Sequence, residues 1–424
     1  MHISRYNWRH QTLHSTLHGT LRRSMTTVAT FEPLFPEDRV LDPLLDQAGQ
    51  LVDSSQRLLT VRDTPLARAL APQLRAMNSY YTNKIEGQHT TPANIEAALH
   101  RDYSSDSVER KKQRFAVAHI ATEAALEEEW AALPVAGLFE SARIPVIHER
   151  FFSCLPEDER LTEDGQIIVP GELRRSDVTV GRHLAPEPEM IEPLLQAWAA
   201  RYARIRAKEY QVIGIACSHH RLAWVHPFMD GNGRVARLHS HLALRAADLT
   251  HGLWSPLRGL AREHEQYYAR LSEADQTRRN DLDGRGNLSQ EALVKFARFF
   301  LDCCEDQVGF MVRMTEFEGV TARMLDLLRY LEFNPWTIRS EKSVIKPEAA
   351  ALAMEFVALR RAVTRAEFSQ MLGVSDVLAR RIVRSLIDFG LLTSPSHRGD
   401  LSFGLPLAAL RFLFPKLWPE VEQQ

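Results

Sequence analysis

Between His226 and Arg237 the chain reads His226-Pro227-Phe228-Met229-Asp230-Gly231-Asn232-Gly233-Arg234-Val235-Ala236-Arg237, a run that gathers most of what phosphate chemistry needs. Two glycines around an asparagine, set between two helical stretches, leave backbone N–H groups unpaired and unobstructed, which makes an anion cradle. Arg234 and Arg237 stand three apart on the first turn of the second helix and can grip further phosphate oxygens bidentately. Asp230 is a hard oxygen ligand suited to Mg²⁺ on a polyphosphate. His226 sits at the rim, where a neutral imidazole can take a proton from an incoming hydroxyl. Together these groups describe phosphate-bond chemistry on a nucleotide.

Such a loop needs a helix ending before it and another starting after it. The apolar spacing predicts helices over Tyr210 to Val225 and Gly233 to Ala247, on either side of the run. Helical patterns also cover Phe35 to Leu99 in pieces, with Thr90-Thr91-Pro92 starting a helix from Ala93 to His100. Others cover Gln113 to Ala132, Ile144 to Phe152, Met190 to Ala207 and Gln290 to Phe317. One interval differs: from Gly165 to Pro188, glycines and prolines surround two β-rich pieces, Ile167 to Val169 and Val178 to Val180, which predicts a loop with a small hairpin. The fold class expected is mainly α.

The run from His226 to Arg237 resembles, without a mismatch, the signature H-x-F-x-[DE]-G-N-G-R-x-x-R of the Fic domain family. The resemblance implies a Fic-type helical bundle with a β-hairpin flap. It implies that His226 is the base acting on a target hydroxyl and that Asp230 holds Mg²⁺ between the α- and β-phosphates of ATP. Gly231, Asn232 and Gly233 would line the anion hole, with Arg234 on the β-phosphate and Arg237 on the γ-phosphate. Phe228 would anchor the loop in the core. His219, seven residues before His226, matches a position common in the family, but it and His220 and His239 read better as packed helix histidines. A metal site made of His219, His226 and His239 has no carboxylates to accompany it.

Fic proteins often carry a regulatory helix of the form [ST]-x-x-x-E-[GN], and Thr82-Asn83-Lys84-Ile85-Glu86-Gly87 fits it ahead of the core. The resemblance implies that Glu86 reaches Arg237 and takes the place of the γ-phosphate. It also implies a target protein held by strand addition to the flap, here Val178 to Pro186. The resemblance spans about Ser79 to Ala247.

Composition narrows the rest. The chain has 424 residues, 45% apolar and 25% charged, with 52 Lys or Arg against 54 Asp or Glu, so two or three folded domains are expected and any attraction to nucleic acid must be local. Cys154, Cys217, Cys303 and Cys304 form no C-x-x-C pair, which suits a reducing compartment and a cytoplasmic location. No apolar run reaches the roughly 18 residues of a membrane span, so no membrane partner is expected. Up to Thr30 there is no Asp or Glu, while Arg5, Arg9, Arg22 and Arg23 share the segment with four histidines. That segment reads as a disordered tail, a start assigned ahead of Met25, or a transit peptide.

From about Thr321 the text changes again. Pro347 opens a helix to about Leu359, Thr364 and Glu367 make a capping box for Arg365 to Leu372, and Gly373 closes it. Ser375 starts a helix from Asp376 to Phe389, ended by Gly390, and Leu391 to Thr393 and Leu401 to Phe403 flank a wing-like turn. The order resembles a winged helix-turn-helix domain. Fourteen Lys or Arg against eleven Asp or Glu permit DNA contact through Arg380, Arg381, Arg384 and Arg398, and serve protein docking equally well.

The expected organisation is a tail over 1–34, N-terminal helices with the inhibitory motif over 35–110, the Fic core over 111–317, and the winged helix-turn-helix-like unit over 321–424. The expected activity is transfer of AMP from ATP to a Ser, Thr or Tyr hydroxyl of another protein, restrained by Glu86. The alternatives are a DNA-binding regulator with a nucleotide-sensing pocket, or removal of AMP. Expected partners are a target protein at the flap, DNA or a protein at the C-terminal unit, and a second copy of the chain.

Overall fold

A computed structural model describes residues 10–11, 26–162, 164–338 and 344–418. The described chain runs through α1 (Asp42–Gln56), α2 (Pro65–Ile85), α3 (Pro92–Leu99), α4 (Ser107–Glu129), α5 (Val135–Leu138), α6 (Arg143–Ser153) and α7 (Pro188–Tyr202). The helices α8 (Lys208–Val225), α9 (Asn232–Ala246), α10 (Leu257–Arg262), α11 (His264–Ala274) and α12 (Gln290–Thr315) follow. The last five are α13 (Phe317–Phe333), α14 (Pro347–Leu359), α15 (Arg365–Leu372), α16 (Asp376–Phe389) and α17 (Leu407–Leu413). Strands are short: β1 (His10–Gln11), β2 (Thr179–Val180) and β3 (His183–Leu184) form one antiparallel sheet in that order, and β4 (Leu392–Thr393) pairs with β5 (Ser402–Phe403). The fold is thus a mainly α bundle with a small hairpin, as its sequence implies.

Local chemistry starts the helices that matter. The Thr64 hydroxyl accepts the Ala67 N–H and Pro65 occupies the first turn of α2. Thr91 caps α3 in the same way, and the Asp106 carboxylate accepts the Glu109 N–H to start α4. α8 lies at the centre, packed by α1, α7, α9 and α12. Val212, Ile213, Ile215, Ala216, Leu222 and Val225 are all buried along it, and so are Ser218, His219, His220 and Arg221. A helix enclosed all round can carry those polar groups only if each finds a partner. Arg221 Nε donates to Pro33 O, His220 Nε2 lies 3.1 Å from both Leu271 O and Asp275 Oδ1, and the Ser218 hydroxyl donates to Ile215 O.

Several expected boundaries move. The tail expected over 1–34, most of which falls outside the described residues, gives way to packed chain before its end. Val28–Phe31 form a 3₁₀ turn, and Phe31 is fully buried against Trp224, with Leu34 buried beside it. The helix expected over Gln290 to Phe317 breaks at Glu316, which is extended and starts α13. Ile167 to Val169 do not pair with Val178 to Val180; Ile167 bridges Leu161, and the hairpin partner is His183–Leu184. A register of two residues per strand carries too weak a period to be read from sequence.

In the C-terminal part, Thr364 and Glu367 form the expected capping box, and Gly373 and Gly390 adopt left-handed conformations that end α15 and α16. Val363 and Leu401 exchange backbone hydrogen bonds beside the β4–β5 pair. This part packs onto α2: Gln73 donates to Leu405 O, Tyr81 OH to Leu417 O, and Trp418 stacks on Tyr80 at 6.2 Å. Among the described residues no helix is long and apolar enough to cross a membrane.

Candidate active site

α8 stops at His226, whose φ of 49° and ψ of 62° turn the chain out of the helix. Arg174, almost fully buried, fixes that turn: its Nε donates to His226 O at 2.7 Å, Nη2 to Pro186 O at 2.7 Å, and Nη1 to Ser176 O at 2.9 Å. One guanidinium therefore ties the loop to the base of the flap, with its fork of donors matched to carbonyls of both.

Phe228 is fully buried and stacks on His148 at 3.9 Å. Asn232 closes the loop on itself, its Oδ1 accepting the Phe228 N–H at 2.9 Å and its Nδ2 donating to Phe228 O at 2.8 Å. The Gly171 N–H donates to His148 Nδ1, so the ring's proton is on Nε2, which donates to Asp230 O at 3.2 Å. Burial pushes His148 down to about 3, against a lift from that carbonyl, and keeps it neutral. Gly231 has φ 81°, and a Cβ there would meet the Phe152 ring at 2.7 Å, so only glycine fits.

A cleft of about 740 Å³, open to solvent, lies over this loop. His226, Asp230, Gly231, Asn232, Gly233, Arg237 and Glu86 all line it, with Val180 and His183 of the flap along another wall. That mixed polar and apolar lining suits a ligand that carries both charged groups and an apolar ring. The structure thus brings together every site residue expected from sequence except two. Phe228 lies beneath, as an anchor should. Arg234 does not line the cleft: its Nε donates to Asn83 Oδ1, its Nη2 to Gln88 Oε1, and its guanidinium lies 5.1 Å over the Phe115 ring. The arginine expected on a β-phosphate is here turned toward the end of α2.

Arg237, 1% exposed, donates from Nε to Thr82 Oγ1 at 2.8 Å and forms a short ion pair from Nη2 to Glu86 Oε1. Gly233 makes room for that pair, since a Cβ on it would fall 2.6 Å from Glu86 Oε1. Tyr268 OH donates to Ile85 O and clamps the end of α2 in place. Behind Arg237 runs a buried relay. The Ser240 hydroxyl donates to Ala236 O, so it accepts from His219 Nδ1, and His219 Nε2 accepts from Tyr267 OH. Burial, then the charge of Arg237, holds His219 well below the usual histidine range. His239 donates to Leu138 O instead, so His219, His226 and His239 do not converge on an ion.

Sequence reasoning missed Arg174, His148, Tyr267 and Tyr268. None has a spacing signal, because each reaches the site from a different element. Thr82 was visible as the first position of the Thr82 to Gly87 motif, though not as a partner of Arg237.

Residues 139–244 match the model of the Fic/DOC family. A protein adenylyltransferase Fic of Drosophila mojavensis is 31% identical over 139 residues, covering 32% of this chain and 24% of that protein. One of Drosophila melanogaster is 32% identical over 143 residues, with the same coverage. The chain spans about a quarter of the length of these curated relatives. Among solved structures, a Fic family protein of Desulfovibrio desulfuricans is 16% identical, with 88% of this chain and 99% of that one covered at a TM-score of 0.49.

Proposed function

We propose, from the Fic/DOC-family domain at 139–244, that this chain transfers AMP from ATP to a Ser, Thr or Tyr hydroxyl of a protein, and that Glu86 restrains the transfer. The observation that carries the reading is the convergence of His226, the Gly231-Asn232-Gly233 loop and Arg237 on one cleft, with Glu86 paired to that arginine. His226 takes the hydroxyl proton, the freed oxygen bonds to the α-phosphorus, and the bond from that phosphorus to the β-phosphate bridge breaks, releasing pyrophosphate. The start of α9 receives phosphate negative charge on its N–H groups and dipole.

Asp230 lines the cleft beside the Gly231 amide, and one carboxylate next to an anion-accepting loop fits Mg²⁺, which takes few protein ligands and completes its shell from phosphates and water. Mg²⁺ held by Asp230 would neutralise charge on the leaving phosphates. The flap, with Val180 and His183 on the cleft wall, is the surface we assign to the target's backbone, through residues Val178 to Pro186.

The test uses ATP labelled at the α-phosphate in one reaction and at the γ-phosphate in another, each with Mg²⁺, the purified Glu86→Gly variant and a protein lysate. Transfer of AMP places only the α label on protein. Protein labelled from the γ position, or by neither, contradicts the proposal. Removal of AMP would appear instead as loss of α label from a pre-modified protein.

A second reading concerns the C-terminal part, which we read as a winged helix-turn-helix unit. Ala379, Ile382, Val383 and Leu386 form the buried face of α16, and Arg380, Arg381 and Arg384 are exposed on the rest of it, with Arg398 exposed at the β4–β5 turn. That distribution favours DNA over an apolar protein surface. A DNA-binding regulator would retain a promoter fragment with an affinity that falls steeply with salt.

A further inference from the structure

A second cleft opens away from the nucleotide loop, among Arg75, Asn78, Glu123, Glu127, His241 and Arg245. His119, Glu123 and Glu127 follow one another at single-turn spacing on α4, and His241 meets them from α9. Ligand atoms of Glu123, Glu127 and His241 all lie within 4.8 Å of one another. His241 Nε2 is 3.2 Å from Glu127 Oε1 and 3.5 Å from Glu123 Oε1, and His119 Nδ1 is 3.5 Å from Glu123 Oε2. Charge-assisted hydrogen bonds between such groups close to about 2.7–2.9 Å. His241 Nε2 and Glu127 Oε1 are hydrogen-bonded at 3.2 Å, and spacings near 3.3 Å are also about the edge of a tetrahedron around an ion with bonds of ~2.0–2.1 Å.

An independent observation points the same way. His119 is fully buried, and neither of its ring nitrogens has a hydrogen-bond partner; Glu123 Oε2, equally buried, has none either. Burying such groups unpaired is costly, and proteins rarely tolerate it. Outer partners already orient the carboxylates: Asn78 Nδ2 donates to Glu123 Oε1 at 2.7 Å, and Arg75 Nε takes Glu127 Oε2 at 2.8 Å, leaving Oε1 toward His241. Arg245 Nη1 stands 3.4 Å from that same Oε1.

We infer that Glu123, Glu127 and His241 form a site for a divalent transition metal, Zn²⁺ in particular, which bolts α4 to α9. One imidazole and two carboxylates, with water in a fourth position, suit Zn²⁺, whereas Mg²⁺ and Ca²⁺ call for oxygen throughout. Binding is a ligand exchange with no redox step: the ion sheds water, and any proton on Glu123 passes to solvent. The site uses none of the residues assigned to AMP transfer. It does join the helix bearing Arg237 to the helix that packs on α2, and its outer shell reaches α2 through Arg75 and Asn78.

The full-length chain, dialysed against chelator, is titrated with Zn²⁺ by calorimetry and with Co²⁺ by visible absorption. The expected result is one equivalent of Zn²⁺, a rise in thermal midpoint, and the intense d–d bands of four-coordinate Co²⁺. His241→Ala and Glu123→Gln should lose those bands. Asn78→Ala, which removes only an outer partner, should weaken Zn²⁺ binding about 10- to 100-fold. Asp230→Ala should leave the bands unchanged. Folded wild-type protein giving only the faint spectrum of aqueous Co²⁺ overturns the inference, and so do bands that persist in His241→Ala or vanish in Asp230→Ala.

Discussion

At the scale of single residues, the site depends on where each side chain's proton and charge are held. His226 reaches the cleft because α8 ends in a left-handed turn, while the nearby imidazoles of His148 and His183 are engaged with Asp230 O and Trp224 O. His226→Ala should therefore lower transfer by about 10²- to 10⁴-fold while ATP binding stays near wild type, since other groups hold the phosphates. Single-turnover transfer and equilibrium ATP binding, measured side by side, check this; near-normal transfer would remove His226 from the reaction. Asp230→Ala should instead weaken Mg²⁺-dependent ATP binding, and full activity in EDTA would contradict the role given to Asp230.

Elements carry what residues alone do not show. Arg174 joins the flap base to the catalytic turn through three carbonyl groups, so Arg174→Ala leaves those carbonyls buried and unpaired, at a cost of about 3–5 kcal/mol. Denaturant unfolding should show that loss, and Arg174→Lys should restore little of it, because an ammonium cannot reproduce the fork. A wild-type midpoint for Arg174→Ala would show that the loop holds itself. This is also where sequence reading divides into what it sees and what it misses. Helix starts at Thr64, Thr91 and Thr364 and stops at Gly373 and Gly390 are legible, because a cap or a left-handed turn acts within four residues. The His226 to Arg237 loop is legible for the same reason. Arg174, His148 and the cluster of Glu123, Glu127 and His241 are not, since their meaning comes from distant partners, 52 positions from Arg174 to His226, 82 from His148 to Asp230 and 114 from Glu127 to His241. Arg234 is the instructive case: its sequence position promised a phosphate, and the fold turns it to Asn83 and Gln88 of the α2 end.

For the whole molecule, α2 is the shared part. Its end carries Glu86 into the cleft, and its middle is covered by the C-terminal residues Leu405, Leu417 and Trp418. Arg258 Nη2 adds a bond to Lys416 O. Trp418→Ala should cost about 3–5 kcal/mol in unfolding measurements, as expected for a buried large aromatic, and an unchanged midpoint would show that the C-terminal residues only rest on α2. The restraint itself is tested most directly by intact mass after incubation with ATP and Mg²⁺, comparing wild type, Glu86→Gly, and Glu86→Gly combined with His226→Ala. Freeing Arg237 from the carboxylate should let ATP settle with its α-phosphate in line, and a difference of a few kcal/mol between the two poses corresponds to about a hundredfold gain. The account predicts self-modification by AMP in Glu86→Gly about two orders of magnitude faster than wild type, and none in the double variant. Equal rates for wild type and Glu86→Gly, or a gain that survives loss of His226, would contradict it.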